Sequence, residues 1–281
     1  MQISTVLRIS RPRFWLYVAG PFLIGTAAAA HSISDLHSGW TLLFLIYFLF
    51  PANLFIYGIN DTYDYETDKL NPKKQQYELL VTPQMHDSLM KWIIYTNLPF
   101  WIIAFGLPLK NILAMLAFLL FSLFYSAPPI RAKAKPLLDS VFNILYLFPG
   151  WFAYYLGGGT KFTWSLFLAG TLWVMAMHAF SAIPDMASDT KVGLQTIATK
   201  LGRMGTFVFC ALCYAGAAIL SFPYLHLLSV TLGALYIIMI ALAAQGKNNN
   251  RIFRVYTWFP LLNAILGFSI FCYIVYPLFK F

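Results

Sequence analysis

The chain has 281 residues, of which 60% are hydrophobic, 18% aromatic and only 10% charged, and its mean hydropathy is +0.69. Soluble globular domains carry about 25% charged residues, so this chain has too few polar side chains to cover a water-facing surface. The composition argues against a soluble enzyme, a disordered protein and a small disulfide-bonded scaffold, and it favours a membrane protein with several spans. The three cysteines lie in apolar stretches and are expected to be buried apolar side chains.

Apolar runs of the length needed to cross a bilayer recur nine times along the chain. Lipid offers no partner to an unpaired backbone group, so these runs predict an all-α helical bundle that forms one domain over residues 1–281. The short alternating strands of an outer-membrane barrel are absent from the sequence. The predicted spans are 14–30, 40–59, 90–109, 111–128, 138–157, 163–182, 205–222, 224–244 and 255–277.

The 19 Lys and Arg residues are distributed unequally between the two sides of this bundle. With the N-terminus inside, sixteen of them fall on the inner side and three on the outer side. This asymmetry predicts a multi-pass protein of the cell (inner) membrane with a cytoplasmic N-terminus and an external C-terminus. The net charge of +9 then reflects topology and attraction to anionic membrane lipid or phosphate, and no nucleic-acid partner is expected.

Six of the ten acidic residues lie in two short clusters, each at the inner end of a predicted span. Spacings of three and four residues place side chains on one face of a helix. Each cluster therefore predicts a carboxylate-rich helical face. The residues with this spacing are Asn60, Asp61, Asp64 and Asp68 in the first cluster and Asp185 and Asp189 in the second.

Carboxylates packed together repel each other, and near a bilayer the cost rises, so their compensating partner must be strongly cationic. Oxygen ligands without nearby His or Cys favour Mg²⁺, which takes few carboxylates and bridges to phosphate oxygens. Two such faces at one membrane level would clamp a diphosphate between metal ions. The alternative is that these acids are ordinary solvated charges near helix ends. The candidate metal ligands are Asp61, Asp64, Asp68, Asp185 and Asp189.

Basic residues on the same side of the membrane are candidates for binding the phosphates. Arg11, Lys73 and Arg131 are preferred because of the motifs around them, and Lys191 follows the second cluster. For each of these side chains, topology and contact with lipid headgroups is the alternative interpretation.

Four motifs resemble those of the UbiA superfamily of intramembrane prenyltransferases, and together they extend over residues 8–203. Two spaced acidic motifs with two flanking motifs form a specific pattern, whereas one alone would be weak. The motifs are Ser10-Arg11-Pro12-x-x-Trp15, Asn60-Asp61-x-x-Asp64-x-x-x-Asp68, Tyr125-Ser126-x-Pro128-Pro129-x-Arg131 and Asp185-x-x-x-Asp189-x-x-x-Gly193.

The resemblance implies nine transmembrane helices around a central cavity, with Mg²⁺ and an isoprenyl diphosphate donor at the cytoplasmic end. It also implies a lateral opening for a lipophilic acceptor. Asp64 and Asp185 are then expected to have catalytic roles, and Asn60 is expected to lie at the diphosphate. Tyr125 is a candidate to shelter an allylic cation on its aromatic face, although packing explains most aromatic residues of such a chain.

Several stretches look closest to the lycopene elongases, the carotenoid branch of the superfamily. They include residues 10–17, 51–58, 71–74 and 178–185. An elongase adds a five-carbon unit to a carotenoid end group such as that of lycopene. His178 precedes Asp185 by seven residues on roughly the same helical face and is a candidate acceptor of the proton that ends the reaction, or else a structural histidine.

The second motif departs from the family pattern, in which further charged residues often accompany the aspartates. Here those positions are Met186, Ala187, Ser188 and Thr190, so only two carboxylates remain. Two other functions stay open at this point. One is an aromatic prenyltransferase of quinone or haem synthesis, and the other is a membrane transporter with acidic ion sites, although such sites favour the bilayer midplane.

Overall fold

The computed structural model describes residues 1–70, 74, 78–246 and 249–279, and the secondary structure in those ranges is helical without a strand. The predicted all-α class is therefore confirmed. The α-helices are α1 (Ile3–Ile9), α2 (Trp15–Ala29), α3 (Gly39–Leu49), α4 (Pro51–Tyr63), α5 (Tyr65–Asp68), α6 (His86–Phe105), α7 (Leu109–Ser126), α8 (Leu138–Val141), α9 (Phe148–Leu156), α10 (Trp164–Ala182), α11 (Met186–Lys191), α12 (Ile197–Leu225), α13 (Leu227–Ala244) and α14 (Asn249–Val275).

Six segments of the described chain are long and apolar enough to cross a membrane, which makes this a polytopic membrane protein. Three predicted spans fall on other helices. For these, α2 has only 15 residues, α6 begins with the polar residues His86 and Asp87, and the region 138–157 is interrupted by a 3₁₀ helix at Phe142–Tyr146. The six segments are Gly39–Tyr63, Leu109–Ser126, Trp164–Lys191, Ile197–Leu225, Leu227–Ala244 and Ile252–Phe279.

The chain forms two compact units. Unit 1 comprises Met1–Ile130, Leu145–Thr160 and Gly267–Phe281, and unit 2 comprises Arg131–Ile144 and Lys161–Leu266. The first acidic cluster therefore belongs to unit 1 and the second to unit 2.

In unit 1, α1 packs against α4 and α6 through a buried apolar cluster. Val6 and Ile9 of α1 contribute to it together with Leu54 and Ile59 of α4 and Ile93 of α6. Full burial of each such side chain stabilises a fold by about 1.5–3 kcal/mol. This packing fixes the N-terminal segment beside the inner end of α4.

At the break between α3 and α4, side-chain amides donate hydrogen bonds to backbone carbonyls. Pro51 has no N–H and cannot continue the hydrogen bonds of α3. The side-chain amide of Asn53 donates to the carbonyls of Phe48 and Leu49 at 2.9 Å each, and that of Asn97 donates to the carbonyl of Pro51 at 2.9 Å. Because lipid cannot supply partners for these carbonyls, the amides allow the break within a membrane segment.

Helices α2 and α9 of unit 1 approach so closely that their backbones touch. A Cβ atom added to Gly25 would lie 1.9 Å from the carbonyl oxygen of Gly150. Small residues at such crossings are characteristic of packed membrane helices. Gly25 and Gly150 are therefore required by the helix spacing.

Unit 2 is held together by aromatic contacts among α10, α12, α13 and α14. The rings of Tyr214 and Tyr236 stack with centroids 4.4 Å apart, and the Tyr236 hydroxyl donates to the Asn263 side chain at 2.5 Å. The ring centroids of Phe180 on α10 and Phe259 on α14 are 5.2 Å apart. These contacts place α10, which carries His178, against the rest of unit 2.

Substitution of Gly25 by alanine is expected to destabilise the protein by at least about 1–3 kcal/mol, because the new methyl group forces α2 and α9 apart. Thermal unfolding of the detergent-solubilised protein measures this loss. Gly20→Ala on the same helix is the matched control, since no atom lies within 4 Å of its added Cβ. Equal unfolding temperatures for the two variants would contradict the close helix approach.

Candidate functional site

The first acidic cluster is built around the buried carboxylate of Asp61. Asp61 is 2% exposed, and its Oδ1 accepts from Arg11 Nη2 at 2.7 Å and from Lys74 Nζ at 2.5 Å. Lys74, itself 5% exposed, also lies 2.9 Å from Asp68 Oδ2 and 3.6 Å from Glu78 Oε2. A buried charge is tolerated only when it is paired, and removal of one partner typically costs about 3–5 kcal/mol. These side chains therefore form one interdependent network.

A local turn directs Arg11 at Asp61. The indole N–H of Trp15 donates to the carbonyl and the hydroxyl of Ser10 at 3.1 Å each, which closes the turn between α1 and α2. Arg11 has the left-handed φ of 52°, and its guanidinium lies 4.5 Å from the ring centroid of Tyr57. The Ser-Arg-Pro-x-x-Trp motif thus has a structural basis, because Trp15 and Ser10 hold the conformation that Arg11 requires.

The charge of Arg11 is secured by its neighbours. Burial by itself would lower the pKa of Arg11, but Glu78 and Asp61 outweigh burial and raise the pKa above its ordinary value. Arg11 is therefore permanently cationic at this position, and so it can neutralise Asp61 at any physiological pH.

Asn60 ties the inner end of α4 to α7. Its side-chain amide donates to Asp64 Oδ2 at 2.5 Å and to the hydroxyl of Ser126 at 2.9 Å. The single helix expected across residues 60–68 is interrupted, because α4 ends at Tyr63 and Asp64 has φ −111° and ψ 7° before α5 begins. Asp61 and Asp68 nevertheless meet, since Lys74 contacts both.

The second acidic cluster lies where α10 continues into a 3₁₀ helix and then into α11. Asp185 ends the 3₁₀ helix Ile183–Asp185, and Asp189 follows within α11, so the two partly buried residues lie on adjacent helical turns. The carbonyl of Asp189 accepts the N–H groups of Val192 and Leu194 at 3.2 and 2.9 Å. This closure requires the φ of 69° at Gly193, which explains the glycine of the motif.

The other predicted residues are distributed over both units. Tyr125 is half-buried on α7, next to the Ser126 that binds Asn60. Arg131 and Lys191 are exposed residues of unit 2, and Arg131, like Arg11, has a left-handed φ, here 44°. Such a φ is uncommon for a residue other than glycine and tends to occur at functional sites. Lys73 lies outside the described residues.

Three polar residues of these networks were not among the candidate site residues from the sequence. Lys74 is a buried lysine that follows the first acidic motif, and sequence alone does not distinguish it from its neighbour Lys73. Glu78 forms ion pairs with Arg11, at 3.2 Å, and with Arg13. Two features of the sequence could have identified it: it is one of only ten acids, and it follows Lys74 by four residues. Asp139 is a fully buried acid inside the predicted span 138–157, a position that by itself suggests function.

The residues present fit a metal ion that binds together with phosphate. Within the described ranges, no three His, Cys, Asp or Glu side chains converge into a preformed metal cage. Mg²⁺ is commonly held by one or two carboxylates, with phosphate oxygens and water as its remaining ligands. Each acidic cluster, taken by itself, offers oxygen-only donors of this kind.

Comparisons with known proteins agree with the sequence motifs. A profile of the UbiA prenyltransferase family matches residues 18–259. The lycopene elongase/hydratase of Haloarcula japonica is 36% identical over 266 residues, which are 94% of this chain and 89% of that protein. The lycopene elongase/hydratase of Haloferax volcanii is 38% identical over 264 residues, 93% of this chain and 85% of that protein.

A solved structure shares the fold. A UbiA homologue from Archaeoglobus fulgidus bound to GPP and Mg²⁺ superposes with a TM-score of 0.69. The superposition covers 95% of this chain and 99% of that one at 21% identity, so the likeness concerns the fold.

The stability of the protein is expected to depend on pH through Asp68. Burial raises the pKa of Asp68 from 3.8 to about 6, against the opposing effect of Lys74. The folded chain then holds a proton that the unfolded chain has lost, so stability that is present below about pH 4 is lost as the pH rises through about 6. The effect is at most about 3 kcal/mol. Thermal unfolding in detergent at about pH 4.5 and pH 7 measures it.

Asp68→Asn is expected to abolish this part of the pH dependence, because the amide does not titrate. Glu66→Gln is the matched control, since Glu66 is an exposed acid two residues away. If Asp68→Asn and the unmodified protein show the same change in unfolding temperature between the two pH values, the raised pKa of Asp68 is contradicted.

Proposed function

The chain belongs to the UbiA prenyltransferase family, and from this premise we propose that it transfers a five-carbon isoprenyl group from an allylic diphosphate to the end group of a carotenoid such as lycopene. The observation that carries the choice of acceptor is the similarity to two lycopene elongase/hydratases over more than nine-tenths of the chain. Family membership also favours a transferase over a transporter.

We assign the two acidic clusters to the donor diphosphate. In this proposal Asp61, Asp64 and Asp68 of unit 1 and Asp185 and Asp189 of unit 2 supply the carboxylates for Mg²⁺. When bound, Mg²⁺ supplies positive charge that stabilises the diphosphate as it departs. Asn60 supports this role because its amide fixes the orientation of Asp64.

The cationic side chains have complementary roles in the proposal. Arg11 and Lys74 neutralise the buried charge of Asp61, so Asp61 does not need a bound metal ion to remain buried. Arg131 and Lys191 are exposed in unit 2 and are available to contact phosphate oxygens, and Lys73 is assigned the same role from its motif. The left-handed backbone shared by Arg11 and Arg131 supports a functional role for both.

The reaction begins when the allylic C–O bond breaks and its electron pair leaves with the diphosphate. The π electrons of an acceptor double bond then form the new C–C bond and leave a tertiary cation on the acceptor. Apolar walls are needed because water would otherwise capture the first cation. Tyr125 is assigned to shelter that cation, whereas the Tyr57 ring already faces Arg11.

The proposed topology has nine transmembrane helices around a central cavity, a cytoplasmic N-terminus and active site, and an external C-terminus. The excess of sixteen over three basic residues on the inner side supports this orientation. The six long apolar segments account for most of the spans.

Expression in a lycopene-producing bacterium is expected to yield carotenoids that are one or two five-carbon units heavier than lycopene, as measured by pigment mass spectrometry. Asp64→Asn and Asp185→Asn are each expected to abolish these products, because loss of a carboxylate weakens the grip on the diphosphate. Asp87→Asn is the matched control, since Asp87 is exposed at the start of α6. Normal product from both site variants would refute the assignment, and a prenylated aromatic product would establish the aromatic alternative.

Removal of divalent cations is expected to stop product formation by the purified enzyme. After incubation with EDTA, addition of excess Mg²⁺ should restore turnover. Addition of Na⁺ should not restore it, because a monovalent ion does not neutralise a diphosphate comparably. Removal of divalent cations should also weaken the binding of inorganic diphosphate, measured by calorimetry. Diphosphate binding that is equally strong with and without Mg²⁺ would contradict the metal clamp.

A further inference from the structure

The ammonium group of Lys74 in unit 1 is buried among carboxylates. Its Nζ lies 2.5 Å from Asp61 Oδ1, 2.9 Å from Asp68 Oδ2 and 3.6 Å from Glu78 Oε2. Among the described residues, all of its polar partners are carboxylate oxygens, which are also ligands that Mg²⁺ prefers. The ammonium therefore occupies a position whose surroundings suit a hard cation.

The ion pairs around Lys74 are balanced in charge. Three carboxylates face three cations, so these pairs leave no excess negative charge for a further cation to neutralise. Entry of a doubly charged ion beside an unmoved ammonium would place like charges within a few ångströms of each other in a buried site, where repulsion is strong. Metal entry at Asp61 and Asp68 therefore favours the departure of one cation. The acids are Asp61, Asp68 and Glu78, and the cations are Arg11, Arg13 and Lys74.

Of the two cations that contact Asp61, Lys74 is the one that can leave more easily. The planar guanidinium of Arg11 also pairs with Glu78 at 3.2 Å and lies 4.5 Å from the ring centroid of Tyr57. Lys74 carries a compact charge on a flexible four-carbon stem, so rotation about its side-chain bonds moves the ammonium without a change in the backbone. Its contacts among the described residues are with charges, and another cation can replace it in such contacts.

We propose that the ammonium of Lys74 takes the place of the metal ion in the unloaded protein and leaves Asp61 and Asp68 when Mg²⁺ enters, an inference that rests on the proposed function. Asp61 then has a cationic partner before and after the exchange, and its buried charge is never unpaired. The displaced ammonium needs a new anion, and the diphosphate that arrives with Mg²⁺ supplies one. Lys74 thereby couples the two binding events, so that each ligand binds more tightly in the presence of the other.

The first test measures the binding of Mn²⁺, a hard ion with similar ligand preferences whose free form is quantified by electron paramagnetic resonance. The purified chain in detergent is titrated with Mn²⁺ in the absence of diphosphate. Lys74→Met keeps a side chain of similar length and removes its charge. The affinity for Mn²⁺ is expected to rise by about 10-fold or more, because the competing cation is gone. Added Mg²⁺ should displace the Mn²⁺ bound by this variant.

Lys69→Met is the matched control, because it removes the same charge from an exposed lysine that pairs with Glu66. Its affinity for Mn²⁺ should equal that of the unmodified chain. An equal rise in both variants would show a general effect of net charge and overturn the inference. Unchanged or weaker binding by Lys74→Met would overturn it as well.

A second measurement uses the unmodified chain and serves as the test if Lys74→Met does not accumulate in the membrane. A small amine-reactive reagent acylates accessible lysines, and mass spectrometry of the peptides gives the rate at each position. Excess Mg²⁺ is expected to raise the rate at Lys74 several-fold relative to the exposed Lys69, because the ammonium leaves its buried position. Potassium chloride at equal ionic strength should not do so. A lysine with a purely structural role would stay protected in Mg²⁺, and that result would refute the exchange.

The outcomes distinguish this inference from the function on which it rests. Both measurements use metal ions without an isoprenyl donor or a carotenoid, so they do not depend on the acceptor. If the unmodified chain makes no elongated carotenoid, the proposed function fails. If it makes that product and either measurement gives its contrary result, only the role of Lys74 is refuted.

Discussion

The arrangement of unit 1 depends on the neutralisation of a carboxylate that an apolar chain has buried. Asp61 is almost inaccessible to solvent, and burial of an unpaired charge would cost several kcal/mol. Arg11 and Lys74 converge on the same oxygen of Asp61 from segments on either side of it in the sequence. The turn before α2, the end of α4 and the side chain of Lys74 are therefore fixed in relation to one carboxylate.

The buried carboxylate of unit 2 has partners of a different kind. Asp139 has backbone N–H groups and a histidine as partners, whereas Asp61 is held by arginine and lysine. Arginine and lysine remain charged at neutral pH, and histidine changes its charge readily. One unit therefore neutralises its buried carboxylate with permanent cations, whereas the other surrounds its buried carboxylate with backbone donors and a histidine.

The sequence determined the fold class, the membrane character and both acidic motifs. Hydropathy depends on composition over about 20 residues and not on how the helices pack, so the sequence is enough to identify membrane segments. The motifs were visible because acids are so rare in this chain. The interruptions at Asp64 and within 138–157 were not visible, since both segments remain apolar or regularly spaced while the backbone changes direction.

Only the tertiary structure decided which neighbours each charge has. Adjacent lysines are equivalent in sequence, and the fold alone brings Lys74 to Asp61 and Asp68. Glu78 and Asp139 likewise gained significance from partners distant in the chain, namely Arg11 and His178. The physical reason is that the cost of burying a charge depends on what the folded chain places within a few ångströms of it, and spacing along the sequence reports such neighbours only within one helix.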